Sequence, residues 1–171
     1  MSNNSKKYIG KIVNSRFPYY SVKTGCNAFK LRPVLIIGAE KETLPCDFNV
    51  LPVSTIKDRT KINPFFDYCL DYVKCSALGL RSCPSFIRVN KQSCIHSSDI
   101  KADIIADFLS VCHEDYEKVK SLHAQFTNNL FQIWNNIFKS PRPLHKILGL
   151  FIFYNWLIAD VAAAKNTRIM M

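Results

Sequence analysis

The apolar pattern of this chain changes character once, at Ser97, and that change limits the fold to one in which a sheet precedes helices. Before Ser97, apolar residues come in short runs separated by Pro, Gly, Asn, Asp and Lys, which suit turns. Pro33–Ile37 (PVLII) is continuous and largely β-branched, and Gly38 ends it, which predicts a strand buried on both faces. Asn49–Ile56 predicts a second strand, with Pro52 pointing to an edge or a bulge. Tyr8–Asn14 alternates weakly, and Phe65–Val73 and Ser85–Val89 are further strand candidates. Several short strands at close spacing predict a small barrel.

After Ser97 the period becomes helical. Ser97 or Ser98 can cap a helix, Asp99 suits its first turn, and Ile100, Ile104, Phe108 and Leu109 lie on one stripe. Asp115 can cap another, with Tyr116, Val119, Leu122, Phe126, Leu130, Ile133, Trp134 and Ile137 facing inward. Ser140-Pro141-Arg142-Pro143 then breaks the helix. Ile147–Ala164 is apolar but contains Asn155 and Asp160, and a central Asp costs about 2.5–3.5 kcal/mol in membrane insertion. This segment reads either as a packed or oligomerising helix or as a membrane-associated one. The expected organisation is α+β: residues 1–96 a small barrel, 97–139 packed helices, 140–171 an apolar C-terminal helix.

Charge narrows the partners. Lys and Arg number 23 against 13 Asp and Glu, a formal net charge of +10. Such an excess attracts polyanions, nucleic acid first and anionic membrane second. The 48% hydrophobic content excludes a disordered chain. Seven cysteines (26, 46, 69, 75, 83, 94 and 112) include no CxxC pair, so no zinc finger is expected, and His113-Glu114 lacks the second histidine of a zincin. Met1–Lys7 is polar and no apolar run follows it, so no signal peptide is expected. The expected setting is cytoplasmic, with most of these cysteines reduced in the core.

Four segments, in order, resemble the MazF/PemK family of toxin ribonucleases. Ile9-Gly10-Lys11-Ile12-Val13 is similar to the family's opening strand, with Lys11 where the family has an acidic residue. Leu31-Arg32-Pro33-Val34-Leu35-Ile36-Ile37 resembles its most recognisable run, Arg-Pro followed by aliphatic residues. Val50-Leu51-Pro52-Val53-Ser54-Thr55-Ile56 resembles the strand in which Pro precedes an aliphatic residue and two hydroxyls. Ser85-Phe86-Ile87-Arg88-Val89-Asn90-Lys91-Gln92 resembles a later strand, with a shortened lead-in. The resemblance covers residues 8–112 and is silent on the helical part beyond Glu114.

The resemblance implies an SH3-like barrel of the plasmid-maintenance toxin type, a homodimer, a cognate antitoxin protein, and cleavage of single-stranded RNA with no cofactor and no metal. In such cleavage the substrate's own 2′-hydroxyl attacks the adjacent phosphate. The enzyme must stabilise a pentacoordinate phosphorane and move two protons. By resemblance Arg32 is the catalytic arginine, suited to a phosphate because its planar fork stays charged. The second catalytic group is Thr55 or Ser54, only one of which can face a groove from a strand. Arg88 either contacts RNA or pairs with a carboxylate. His96 is a candidate proton carrier. Lys23, Lys30, Arg59, Lys61 and Lys91 fall in expected loops and could bind RNA phosphates. Phe17, Tyr19, Tyr20 and Phe29 could stack on bases, within an Arg16–Phe29 loop that gates the site in the family. The alternative is a non-catalytic RNA- or protein-binding module on the same barrel.

Overall fold

The computed structural model describes residues 3–139. The architecture is α+β, an antiparallel sheet followed by a C-terminal helix. The strands are β1 (Lys11–Ser21), β2 (Cys26–Ala39), β3 (Asp47–Ser54), β4 (Asp67–Leu70), β5 (Ser85–Arg88), β6 (Ser93–His96) and β7 (Ile100–Asp107). The helices are α1 (Tyr72–Ala77), α2 (Phe108–Val111) and α3 (His113–Lys139). The strands run in the order β4-β5-β3-β2-β1-β7, with β6 also pairing β3. The order leaves β4 and β7 as edges, and no closed barrel forms among the described residues. Residues up to Asn129 make one compact unit.

The PVLII run forms the centre of β2, and both of its faces are buried as expected. Leu35 joins Ile12, Leu51, Val53 and Ile87 in one core, which Phe108, Tyr116 and Val119 cover. Val34 and Ile36 face the other way, into a second core with Val13, Phe17, Phe48, Val50 and Ile95. Alternate residues of one strand thus enter opposite cores, so polar residues have no place in the run. Each fully buried aliphatic side chain contributes about 1.5–3 kcal/mol relative to exposure. Gly10 is required where β1 meets α2. Its φ is +79°, and an added Cβ would lie 2.5 Å from Leu109 Cβ.

Several expectations are corrected. Pro52 is neither at an edge nor in a bulge. It pairs with Val34 of β2, and on its other side it falls between the β6 ladder (Asp47–Val50) and the β5 ladder (Val53–Ser54). The missing N–H therefore costs no bond at that split. Arg16–Phe29 is not a loop, because β1 runs to Ser21, β2 begins at Cys26, and the two pair along this whole stretch. Phe65–Val73 yields only the short strand β4. Asp71 then caps α1, its carboxylate accepting from Lys74 N at 3.0 Å.

Ile100–Asp107 is a strand, not a helix, so the sheet continues past residue 96. Its pairing with β1 shifts register twice, which breaks the alternation that marks a strand. Ile104, expected inward, is 47% exposed. His96, not a serine, caps the 3-10 turn Ser97–Asp99 that precedes it. In α3, Tyr116 and Val119 are buried and Leu122 and Phe126 pack on the core, as expected. Leu130, Ile133 and Trp134 are exposed instead. Asp115 lies in the first turn of α3, and its carboxylate accepts from the Tyr68 hydroxyl and pairs with Lys74. All seven cysteines are free, but only Cys46 and Cys75 are fully buried.

Among the described residues, no helix is long and apolar enough to cross a membrane. The Ser140–Pro143 break and the Ile147–Ala164 segment lie outside the described residues, as does the Ile137 side chain.

Candidate functional site

Where β2 passes from its buried centre toward the hairpin tip, Arg32 lies directly opposite Ser15 of β1, and Lys30 lies opposite Phe17. These four residues therefore share one face of the hairpin. The Arg32 guanidinium sits 5.2 Å from the centroid of the Phe17 ring. Its Nη1 donates to Ser54 Oγ at 3.2 Å, across from the end of β3. Its Nε is buried and has no hydrogen-bond partner. Among the described residues no carboxylate pairs with Arg32.

Arg32 lines an open cleft of about 510 Å³. Phe17, Pro18, Tyr19 and Tyr20 form one wall. Arg88, Asn90, Lys91, Gln92 and Ser93, on the end of β5, the turn after it and the start of β6, form the other. No aspartate or glutamate lines it. Burial first, then the nearby Arg88 charge, lowers the Arg32 pKa, and Tyr19 opposes this. The cleft is thus a cationic site in which Arg32 is partly desolvated and has no acidic partner among the described residues.

Arg88 takes the structural role as well as a place at the cleft. Its Nε and Nη2 donate to the two oxygens of Asp67 at 3.1 and 3.3 Å, and Nη2 also donates to the Lys61 carbonyl at 3.2 Å. The Asp67 side chain is fully buried. This fork binds β5 to β4 and fixes Arg88 beside Arg32.

The expected site residues divide sharply. Arg32, Ser54, Arg88 and Lys91 come together, with Ser54 reaching the site through Arg32. Thr55 is exposed beyond the end of β3 and does not line the cleft, so Ser54 is the hydroxyl at the arginine. Lys30 shares the Arg32 face of the hairpin, and Lys23 lies in its terminal turn. Arg59 and Lys61 form a separate 3-10 turn capped by Asp58, where Lys61 pairs with Asp58 at 3.3 Å. His96 is outside the cleft and bonds Ser98 Oγ through Nδ1 at 2.8 Å. Phe17, Tyr19 and Tyr20 line the cleft, but Phe29 does not. It lies under the Arg16 guanidinium at 5.3 Å.

Sequence reasoning missed Asn90 and Gln92 as cleft residues, although both stand in the segment that carries the resemblance. Position in that segment was the available signal. Compared with known proteins, the chain matches no family model, and no curated protein is significantly similar to it.

Proposed function

We propose that this protein is a MazF/PemK-like endoribonuclease that cleaves single-stranded RNA, the toxin of a toxin–antitoxin pair, on an opened SH3-like barrel. One observation carries the reading: an arginine with no acidic partner among the described residues, held by Phe17 and Ser54 at the wall of a cationic, aromatic-lined cleft. A buried arginine is usually neutralised from within. One that is not is suited to an anion delivered from outside.

In the proposed reaction the 2′-oxygen bonds to the adjacent phosphorus and the bond from phosphorus to the 5′-oxygen breaks. The 2′-hydroxyl proton leaves to solvent and the departing 5′-oxygen gains one, so no water is consumed. The products are a 2′,3′-cyclic phosphate and a 5′-hydroxyl. Arg32 stabilises the charge that accumulates on the phosphorane through hydrogen bonds from its charged guanidinium. Ser54 fixes the guanidinium. Arg88, Lys91 and Lys30 attract the flanking phosphates, and Tyr19 and Tyr20 stack on unpaired bases. An acidic antitoxin segment would fill the same cleft, and the protein would act as a homodimer.

A second reading has one observation in its favour: no histidine or carboxylate lines the cleft, so no conventional general base is at hand. On that reading the cleft binds RNA or an acidic peptide without cutting. Incubation with single-stranded RNA in EDTA decides between them. The nuclease gives 5′-hydroxyl ends, and Arg32→Ala slows their formation about 100- to 1,000-fold. Retention of intact RNA leaves the binding module.

A further inference from the structure

One neutral polar side chain in the cleft has no partner. Asn90 lies in the 3-10 turn Val89–Lys91 between β5 and β6, and its Oδ1 is buried and unbonded. A buried acceptor left unpaired is destabilising, so its retention calls for a reason. Its neighbours are committed. His123 Nε2 donates to Gln92 Oε1 at 2.5 Å, and the Ser93 hydroxyl turns to the Cys94 carbonyl at 3.5 Å. The cations around it offer donors only, and phosphate contacts carry no base identity. Stacking on the tyrosines tolerates every base. Asn90 is therefore the neutral cleft group with a buried bonding atom still to be satisfied.

We propose that Asn90 reads one nucleobase of the bound RNA, a role that rests on the cleft being an RNA site. A carboxamide presents a donor and an acceptor side by side, and the exposed edge of an unpaired base does the same. No internal bond fixes the group among the described residues. A half-turn about its last bond exchanges the two ends within the same volume, so the base selects the end it meets. Shielding from water strengthens the bonds that then form. A wrong base leaves that atom unpaired, as it is in the free protein, and gains nothing there, whereas the matching base gains the bond.

The test uses the full chain and a randomised single-stranded RNA pool. Cleaved ends are sequenced, and pool members retained without cleavage are sequenced in parallel. Wild type is expected to prefer one base at one position by about 5- to 150-fold, the range of a good two-point contact. Asn90→Ala and the similarly shaped Asn90→Leu should lose the preference at that position and keep those at the others. The readout is a ratio between sites, so a uniform loss of rate or of folded protein does not imitate it. If wild type retains RNA without cutting it, and the retained pool shows the same Asn90-dependent preference, base reading stands and the nuclease falls. If both variants cleave with the wild-type pattern, base reading is overturned and the nuclease stands. If wild type neither cuts nor enriches any RNA, both fall.

Discussion

Strand β2 divides at Pro33 into two halves that differ in burial and in charge. Val34, Leu35 and Ile36 are wholly buried, each pointing into one of two cores. Cys26–Arg32 projects beyond those cores, with Phe29 and Leu31 60% and 48% exposed and Arg32 without an acid among the described residues. The same backbone ladder to β1 runs through both halves. Stability is thus concentrated at one end of the hairpin, and the other is held mainly by its pairing with β1, with Phe17 as its last core contact. A rigid root allows the tip to keep exposed aromatics and uncompensated cations that a marginal fold could not tolerate.

Two neighbouring substitutions break this contrast most directly. Leu35→Ala removes a fully buried side chain between β1 and β3. It is expected to lower unfolding stability by about 2–5 kcal/mol, read from the shift of a urea transition. Arg32→Ala, three residues away, should leave that transition within about 1 kcal/mol of wild type, because the loss of the Ser54 bond is offset by removal of an unpaired buried donor. Its cost falls on cleavage, about 100- to 1,000-fold, the loss typical of one transition-state donor. If Arg32→Ala unfolds the protein as Leu35→Ala does, the arginine belongs to the core and the division of the strand is wrong.

The two halves were also unequally legible. The buried half announced itself, because two-sided burial forces an unbroken apolar run and PVLII has no other economical reading. The open half reads as a loop in the sequence but is a paired strand, since Tyr19, Tyr20, Phe29 and Lys30 show no polar–apolar alternation. Ile100–Asp107 failed for another reason. Ile100 and Ile104 lie on a strand whose pairing with β1 shifts register twice, and Phe108 begins α2, so their helix-like spacing runs across two different elements. The resemblance points to Arg32 and to Thr55 or Ser54, and the fold places Ser54 at the Arg32 guanidinium. Asn90 stayed hidden because its distinguishing property, an unpaired buried oxygen, exists only in three dimensions.

The hairpin tip offers a finer test. Tyr20 is 62% exposed and lines the cleft, so Tyr20→Ala should leave the urea transition within about 0.5 kcal/mol. RNA affinity, measured by fluorescence anisotropy with an uncleavable 2′-deoxy oligonucleotide, should fall by about 1–3 kcal/mol for the lost base stack. Unchanged affinity would mean the exposed ring meets something other than a base.

The smallest effect separates the two regions by charge. Around the helix-covered core the carboxylates are engaged: Asp115 by Tyr68 and Lys74, and Asp107 by Lys11. Burial alone would raise the pKa of each, but these bonds prevail and hold both below the usual carboxylate range. A carboxylate depressed in the folded state contributes stability that is complete above its unfolded pKa, near 4, and is lost as pH falls through the folded value. Stability should therefore decline on acidification below about pH 4, and the decline should be shallower in Asp115→Asn, followed by urea transitions from pH 6 to pH 3. A slope in Asp115→Asn identical to wild type would remove that carboxylate from the seam between β4 and α3.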